Sequence, residues 1–256
     1  VGMLPNLSIT SQKTEGKYIW ILGDDDIIKD GAINNVMQVL MNNSNINLVY
    51  LNYIASRAIN TDDILTAEIV KPTTDNIIHN DGIYKINEMA LFNENLFTAI
   101  YCIIFRRDHG LLAYNQNINN DIEFKNLVNC VPSTVYVIKN MMNYNAYWIS
   151  DYQLTVNLNC SWANNGKDIL WHLKLRPDMF DLAEKYFLYG DLNKLDSYRK
   201  CHINNEYILN IEKYKKKYKI LEYFDNTNYS KQIKQISEST FSLCTKKIKE
   251  ITKVSI

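Results

Sequence analysis

No paired-cysteine frame is present in this sequence. Its five cysteines, Cys102, Cys130, Cys160, Cys201 and Cys244, are odd in number, widely spaced and never arranged as Cys-x-x-Cys. That excludes a disulfide scaffold and a zinc ribbon, and fits reduced, mostly buried thiols in a cytosolic protein. The four histidines, His79, His109, His172 and His202, show no ligand spacing either. No apolar run approaches the ~18–20 residues that span a bilayer, and no signal-peptide pattern is legible. Net charge is also missing, with 28 basic against 28 acidic side chains, so nothing global calls for nucleic acid. There is no internal repeat and no low-complexity tract.

What is present is a long chain with an apolar share of 46% over 256 residues, enough for a substantial core. The charge balance hides an asymmetry. Residues 1–166 carry 10 Lys/Arg against 16 Asp/Glu, and residues 167–256 carry 18 against 12. The acidic part contains the most distinctive stretch, Lys17-Tyr18-Ile19-Trp20-Ile21-Leu22-Gly23-Asp24-Asp25-Asp26. Tyr18 to Leu22 is short, β-branched and aromatic, and reads as a buried strand. Gly23 then lets the backbone turn. If the acids stay extended, alternate side chains share a face, so Asp24 and Asp26 point the same way. Two carboxylates on one face repel unless a cation lies between them. A hard divalent ion, Mg²⁺ or Mn²⁺, fits oxygen ligands and commonly brings a phosphate with it. The plainer reading is a solvated acidic turn after a core strand.

The remaining elements follow from pattern. Leu4, Leu7 and Ile9, with Pro5 in a first turn, predict a helix ended by Gly16. Asp30 is placed to cap a helix from Gly31 to Met41, with Ile33, Val36, Met37 and Leu40 as its apolar stripe. Ile46 to Ala55 reads as a strand, 56–80 as an irregular loop, Ile83 to Phe92 as a helix, and Phe97 to Phe105 as a second buried strand. Arg106 and Arg107 follow it, either reaching a diphosphate or simply ending the strand where the next helix begins. Asp121 opens an Ile-x-Phe-x-x-Leu pattern that reads as a helix start. Val131 to Ile138 reads as a strand entered by Pro132. Tyr144, Tyr147, Trp148, Tyr152 and Trp162 then cluster among Asn, Ser and Asp151, either as core or as faces for sugar rings. From Gly166 onward the pattern is helical and rich in lysine. Basic helices of this kind either pack on the body or lie on an anionic membrane.

The string Lys-Tyr-Ile-Trp-Ile-Leu-Gly-Asp-Asp-Asp-Ile-Ile resembles the Asp-x-Asp segment of family 2 glycosyltransferases of GT-A fold, nearest the bacterial surface-polysaccharide branch of abequosyltransferase-like enzymes. The resemblance implies an α/β fold: a partial GT-A, Rossmann-like mixed sheet flanked by helices over 1–165, then an α-helical region over 166–256. It implies a nucleoside-diphosphate sugar donor bound by Asp24 and Asp25, and Mn²⁺ or Mg²⁺ held by Asp24 and Asp26. It implies an acceptor base opening a helix well beyond the motif. Asp121, 95 positions after Asp26, fits that place, with Glu123 as second choice and Asn120 standing where a first acid is usual. Trp148 and Tyr147 are the expected acceptor contacts, and the acceptor is a saccharide or a lipid-linked saccharide. The implied enzyme is hexosyltransferase-like, cytoplasmic, and at the inner face of the plasma membrane through its basic C-terminal helices, with no nucleic-acid partner.

Such enzymes carry a βαβαβ nucleotide-binding region ahead of the Asp-x-Asp strand. Its absence here makes the chain read as a fragment or a truncated gene, starting at Val1 without Met. The alternative function is accordingly a non-catalytic remnant or a carbohydrate-binding module. A phosphatase of the haloacid dehalogenase type also places Asp-x-Asp after a strand. It expects Thr or Val two residues after the second Asp, where Ile28 stands here.

Overall fold

The computed structural model describes residues 2–56, 69–70, 80–90, 98–116, 124–157, 171 and 175–186. Within them the chain runs α1 (Met3–Gln12), β1 (Tyr18–Trp20), β2 (Ile27–Ile28), α2 (Ala32–Asn42), β3 (Leu48–Ser56), β4 (Ile69–Val70), β5 (Gly82–Lys85), α3 (Ile86–Ala90), β6 (Ile103–Arg106), α4 (Arg107–Tyr114), α5 (Pro132–Asn140), β7 (Asn145–Asn157) and α6 (Arg176–Tyr186). The class is mixed α/β, as the sequence leads one to expect. Of the helical region expected from residue 166, the described part is α6 and its approach. No helix among the described residues is long and apolar enough to cross a membrane.

The sheet order is β1-β6-β3-β7-β2, with β4 added to β3 and β5 added to β7. Its centre is the parallel pair β3 and β7, in register from Val49↔Tyr147 to Ser56↔Asn157; the other pairings are antiparallel. β3 is buried on both faces apart from Ile54, so it reads as a continuous apolar run. The register shifts on either side of Asn52, opposite Ser150 and Asp151. The Asn52 amide meets that irregularity by donating Nδ2 to the Ser150 carbonyl at 2.8 Å.

Several expectations are corrected. β1 stops at Trp20 instead of Leu22. Its partner β6 starts at Ile103, preceded by a 3₁₀ turn over Ile100–Cys102, so the register carries Leu22 past the start of β6 and onto the turn. That turn also takes Ile100–Cys102 out of the strand expected over Phe97 to Phe105, of which Phe97 lies outside the described residues. Gly82–Lys85 is a strand on β7, not the start of a helix; the helix follows at Ile86. Val131 to Ile138 is not a strand. Pro132 takes the first turn of α5, and every residue from Pro132 to Ile138 is buried. A segment buried on all sides carries no alternation, so β-branched content misled the reading. Phe124 to Cys130 forms turns and bends, with Phe124 at φ 61°, so no helix continues through Leu127.

α2 exists, but its start differs from the expectation. Gly31 at φ 82° is the N-cap residue, and no side chain caps the helix, so Asp30 does not play that part. The buried side is Ala32 and Val36, with Val39 and Leu40 partly covered, whereas Ile33 and Met37 are 56% and 50% exposed. In α1 the buried positions are Leu4, Leu7 and Ser11, spaced for one helical face. Ile9 stands outside it, at 44% exposed.

Candidate functional site

The site begins where β1 ends. Ile19 is buried under α4, and Gly110 of α4 approaches it so closely that an added Cβ there meets Ile19 Cδ1 at 3.1 Å. One residue on, Trp20 Nε1 donates to the Tyr101 carbonyl at 2.8 Å, fixing the strand end to the 3₁₀ turn. Tyr101 in turn meets Tyr53 of β3 edge to face at 5.3 Å. The chain then crosses from the β1 edge of the sheet to the β7 edge, where Ile27 and Ile28 pair with Thr155 and Leu154. The three aspartates lie on this crossing.

They are not extended. Asp24 and Asp25 form a turn, and Asp26 folds its carboxylate back to accept the Gly23 N–H at 3.0 Å. The turn ends the strand alternation on which pairing Asp24 with Asp26 rests, and it brings carboxylate oxygens of Asp25 and Asp26 to the same glycine. A Cβ built on Gly23 meets Asp25 Oδ1 at 2.7 Å and Asp26 Oδ2 at 2.9 Å. Both carboxylates thus close over the space that the glycine leaves empty. Asp24 is exposed, while Asp25 and Asp26 are half-buried.

The electrostatics follow from this crowding. Asp26 is pushed up to about 6, chiefly by burial; the Gly23 N–H opposes the shift, and the charges of Asp25 and Asp24 add to it. Tyr101 and Cys102, on the turn behind, are pushed well up by their own burial, with the Asp26 charge contributing to both. A half-buried carboxylate with two acidic neighbours is an arrangement that a cation relieves. Among the described residues no three His, Cys, Asp or Glu side chains converge as a metal cage. Two converging carboxylates fit an ion that takes its remaining ligands from water and phosphate, as Mg²⁺ commonly does.

The other expected residues are distributed differently. Arg106 pairs across the sheet with Tyr18, at the opposite end of β1 from the acids. It holds Asp108, and Arg107 donates Nε to the Thr14 carbonyl at 2.9 Å. The strand-end reading of these arginines is the one that matches. Trp148 is 2% exposed and stacks on Tyr50 at 5.7 Å, so its faces are core surfaces in this structure and not open to an acceptor. Tyr147, on the other face of β7, is half-buried near Tyr84 and Asp81, and burial raises its hydroxyl pKa. Asp121, Glu123 and Trp162 lie outside the described residues.

The approach of both Asp25 and Asp26 to Gly23 is what strand alternation does not foresee. The signal was Gly-Asp-Asp, which favours a tight turn over continued strand. The Trp20–Tyr101 anchor had no sequence signal, since it depends on a 3₁₀ turn 81 positions away.

No family model matches the chain, and no curated protein matches it. Among solved structures it is similar to a crystal structure of S. aureus TarS 1-349, with a TM-score of 0.46 at 10% identity, covering 96% of this chain and 67% of that one. A second crystal structure of S. aureus TarS gives a TM-score of 0.42 at 8% identity, covering 93% of this chain and 41% of that one.

Proposed function

We propose that this chain is the catalytic part of a metal-dependent glycosyltransferase of partial GT-A architecture. It would move a sugar from a nucleoside-diphosphate sugar to a saccharide or lipid-linked saccharide in surface-polysaccharide synthesis. The observation that carries this reading is the convergence of Asp25 and Asp26 over Gly23 at the end of a buried strand. The string from Lys17 to Ile28, with its resemblance to the family 2 segment, supports it; the abequosyltransferase-like branch is the finer form of the same proposal.

Asp26 and Asp25 would hold Mg²⁺ or Mn²⁺, with Asp24 on the solvent side of the turn to meet the ribose or donor sugar. When bound, such an ion offsets charge on the departing diphosphate. Gly23 keeps the two carboxylates together by leaving their meeting point open. Trp20 and Tyr101 fix the strand end, so that the turn starts from a rigid anchor. Asp121, or Glu123 in its place, would take the proton of the attacking hydroxyl. Tyr147 is the acceptor-side candidate that retains exposure, and Trp148 would support it from the core. The basic C-terminal stretch would bring the protein to the cytoplasmic face of an anionic membrane.

The test is binding of a UDP- or GDP-sugar to the chain by calorimetry, with Mn²⁺ and with chelator. Binding that needs Mn²⁺ and disappears in Asp26→Asn is the expected result. A chain that binds glycan yet binds no UDP- or GDP-sugar, with or without Mn²⁺, would instead be a carbohydrate-binding module. In the full-length protein, near-normal Mn²⁺-dependent turnover by Asp26→Asn would exclude the role given to that residue.

A further inference from the structure

A second group of side chains gathers at the opposite end of β1 from the acids, and the reading above does not use it. Arg106 ends β6 beside Tyr18, Asp108 and His109 lie in the first turn of α4, Tyr136 comes from α5, and Tyr144 precedes β7. His109 Nδ1 lies 2.9 Å from the Tyr136 hydroxyl. The His109 and Tyr144 rings meet at 5.5 Å and 75°. A contact of that kind covers at most one face of Tyr144, and the residue is 42% exposed. Arg106 and Asp108 form a two-point pair, Nε to Oδ1 at 2.8 Å and Nη2 to Oδ2. Their side chains are 36% and 56% exposed, so the pair is presented to solvent.

The chemistry of this patch narrows its ligand. The guanidinium charge is met by the carboxylate, which the Arg106 hydrogen bonds hold down at about 2, so the two form a neutral unit at any physiological pH. Burial lowers the His109 pKa, which keeps its ring uncharged near neutrality. Lys17, a further cation at this end, is turned to the Ser44 carbonyl at 2.9 Å. The Arg106–Asp108 pair itself therefore offers an anion little net charge. Asp108 Oδ1 also accepts the His109 N–H at 3.0 Å, so what remains is an open aromatic face together with Arg106 Nη1, the second lone pair of Asp108 Oδ2, and the Tyr144 hydroxyl. A ring with an apolar C–H face and hydroxyls at its rim satisfies both halves at once.

We infer that Tyr144, Arg106, Asp108 and His109 form a saccharide-binding patch for a neutral pyranose, separate from the aspartate turn. It does not rest on glycosyl transfer, because the acids contribute nothing to it. On this inference the protein would hold a glycan at a point remote from the aspartates.

The test titrates the whole chain with neutral oligosaccharides built from glucose, galactose and N-acetylglucosamine. The Tyr144 and His109 ring signals are followed by NMR, in chelator. Expected are shifts of both rings, and binding about tenfold weaker in Tyr144→Ala, the size of one lost aromatic contact. Tyr144→Phe should retain most of the affinity, and Asp26→Asn all of it. Arg106→Lys, which loses the planar fork, should weaken binding with an unchanged melting temperature. The inference is overturned if none of these sugars moves either ring. It is also overturned if sugar binding is lost in Asp26→Asn and kept in Tyr144→Ala. Inorganic phosphate binding that depends on Arg106 and not on Tyr144 would equally overturn it, by showing an anion site.

Discussion

At Asp26, solvation and charge pull the same way, and the effect is measurable without substrate. Its carboxyl is raised to about 6 in the fold, mainly by burial, from an ordinary value of 3.8. The native state therefore binds this proton more tightly than the unfolded chain does. Stability contributed by the protonated acid is present at low pH and is lost as pH rises through that window. Asp26→Asn should thus melt higher than the parent above about pH 7, with the gap closing towards about pH 4; a gap independent of pH in thermal melts would contradict this. Gly23 makes a second residue-scale prediction. Its backbone is not in the left-handed region, and the atoms an added methyl would meet are carboxylate ends. Gly23→Ala should leave the melting temperature within a few degrees of the parent, yet weaken Mn²⁺ binding by about tenfold or more, by pushing Asp25 and Asp26 apart. Equal Mn²⁺ affinity in the two proteins, measured by calorimetry, would remove the glycine from the site. The sequence placed the acids correctly at a strand exit. The pairing of Asp24 with Asp26 rests on strand alternation carried past a glycine that ends the strand's geometry.

Among the elements, those with a clear period or a fixed partner were legible. β1, β3 and α1 stand close to where their apolar patterns put them, and Arg107 starts a helix as the strand-end reading required. The failures share a cause. Val131 to Ile138 is buried on all sides, so its pattern could not distinguish strand from helix, and Pro132 is acceptable at the entrance of either. α2 shows the same problem at its cap. Asp30 is a good capping residue by type, but Gly31 at φ 82° turns the chain so that no side chain reaches the first amides. An added Cβ at Gly31 meets nothing within 4 Å, so any cost of substitution is conformational. Gly31→Ala should destabilise the fold by roughly 1–2 kcal/mol in urea titration, and Gly31→Asn by less. Equal stability of Ala and Gly at this position would mean that the left-handed turn is not retained in solution.

For the molecule as a whole, the seam between β3 and β7 matters most, and it was invisible in the sequence because it joins segments far apart in the chain. Trp148 sits in it, 2% exposed and stacked on Tyr50. Trp148→Ala should cost about 3–5 kcal/mol of unfolding free energy, the range for deleting a large buried aromatic. Were the ring instead a ligand contact, the same change would lower glycan affinity and leave the denaturation midpoint in place. The seam also sets a timetable. Val49 cannot meet Tyr147 until about a hundred further residues have been synthesised, and such distant pairings are slow to form. During translation, then, one flank of an oily β3 waits bare for its neighbour to leave the ribosome, open to any other strand it encounters. Expression of this protein should accordingly respond to chaperone supply and to slower growth at low temperature.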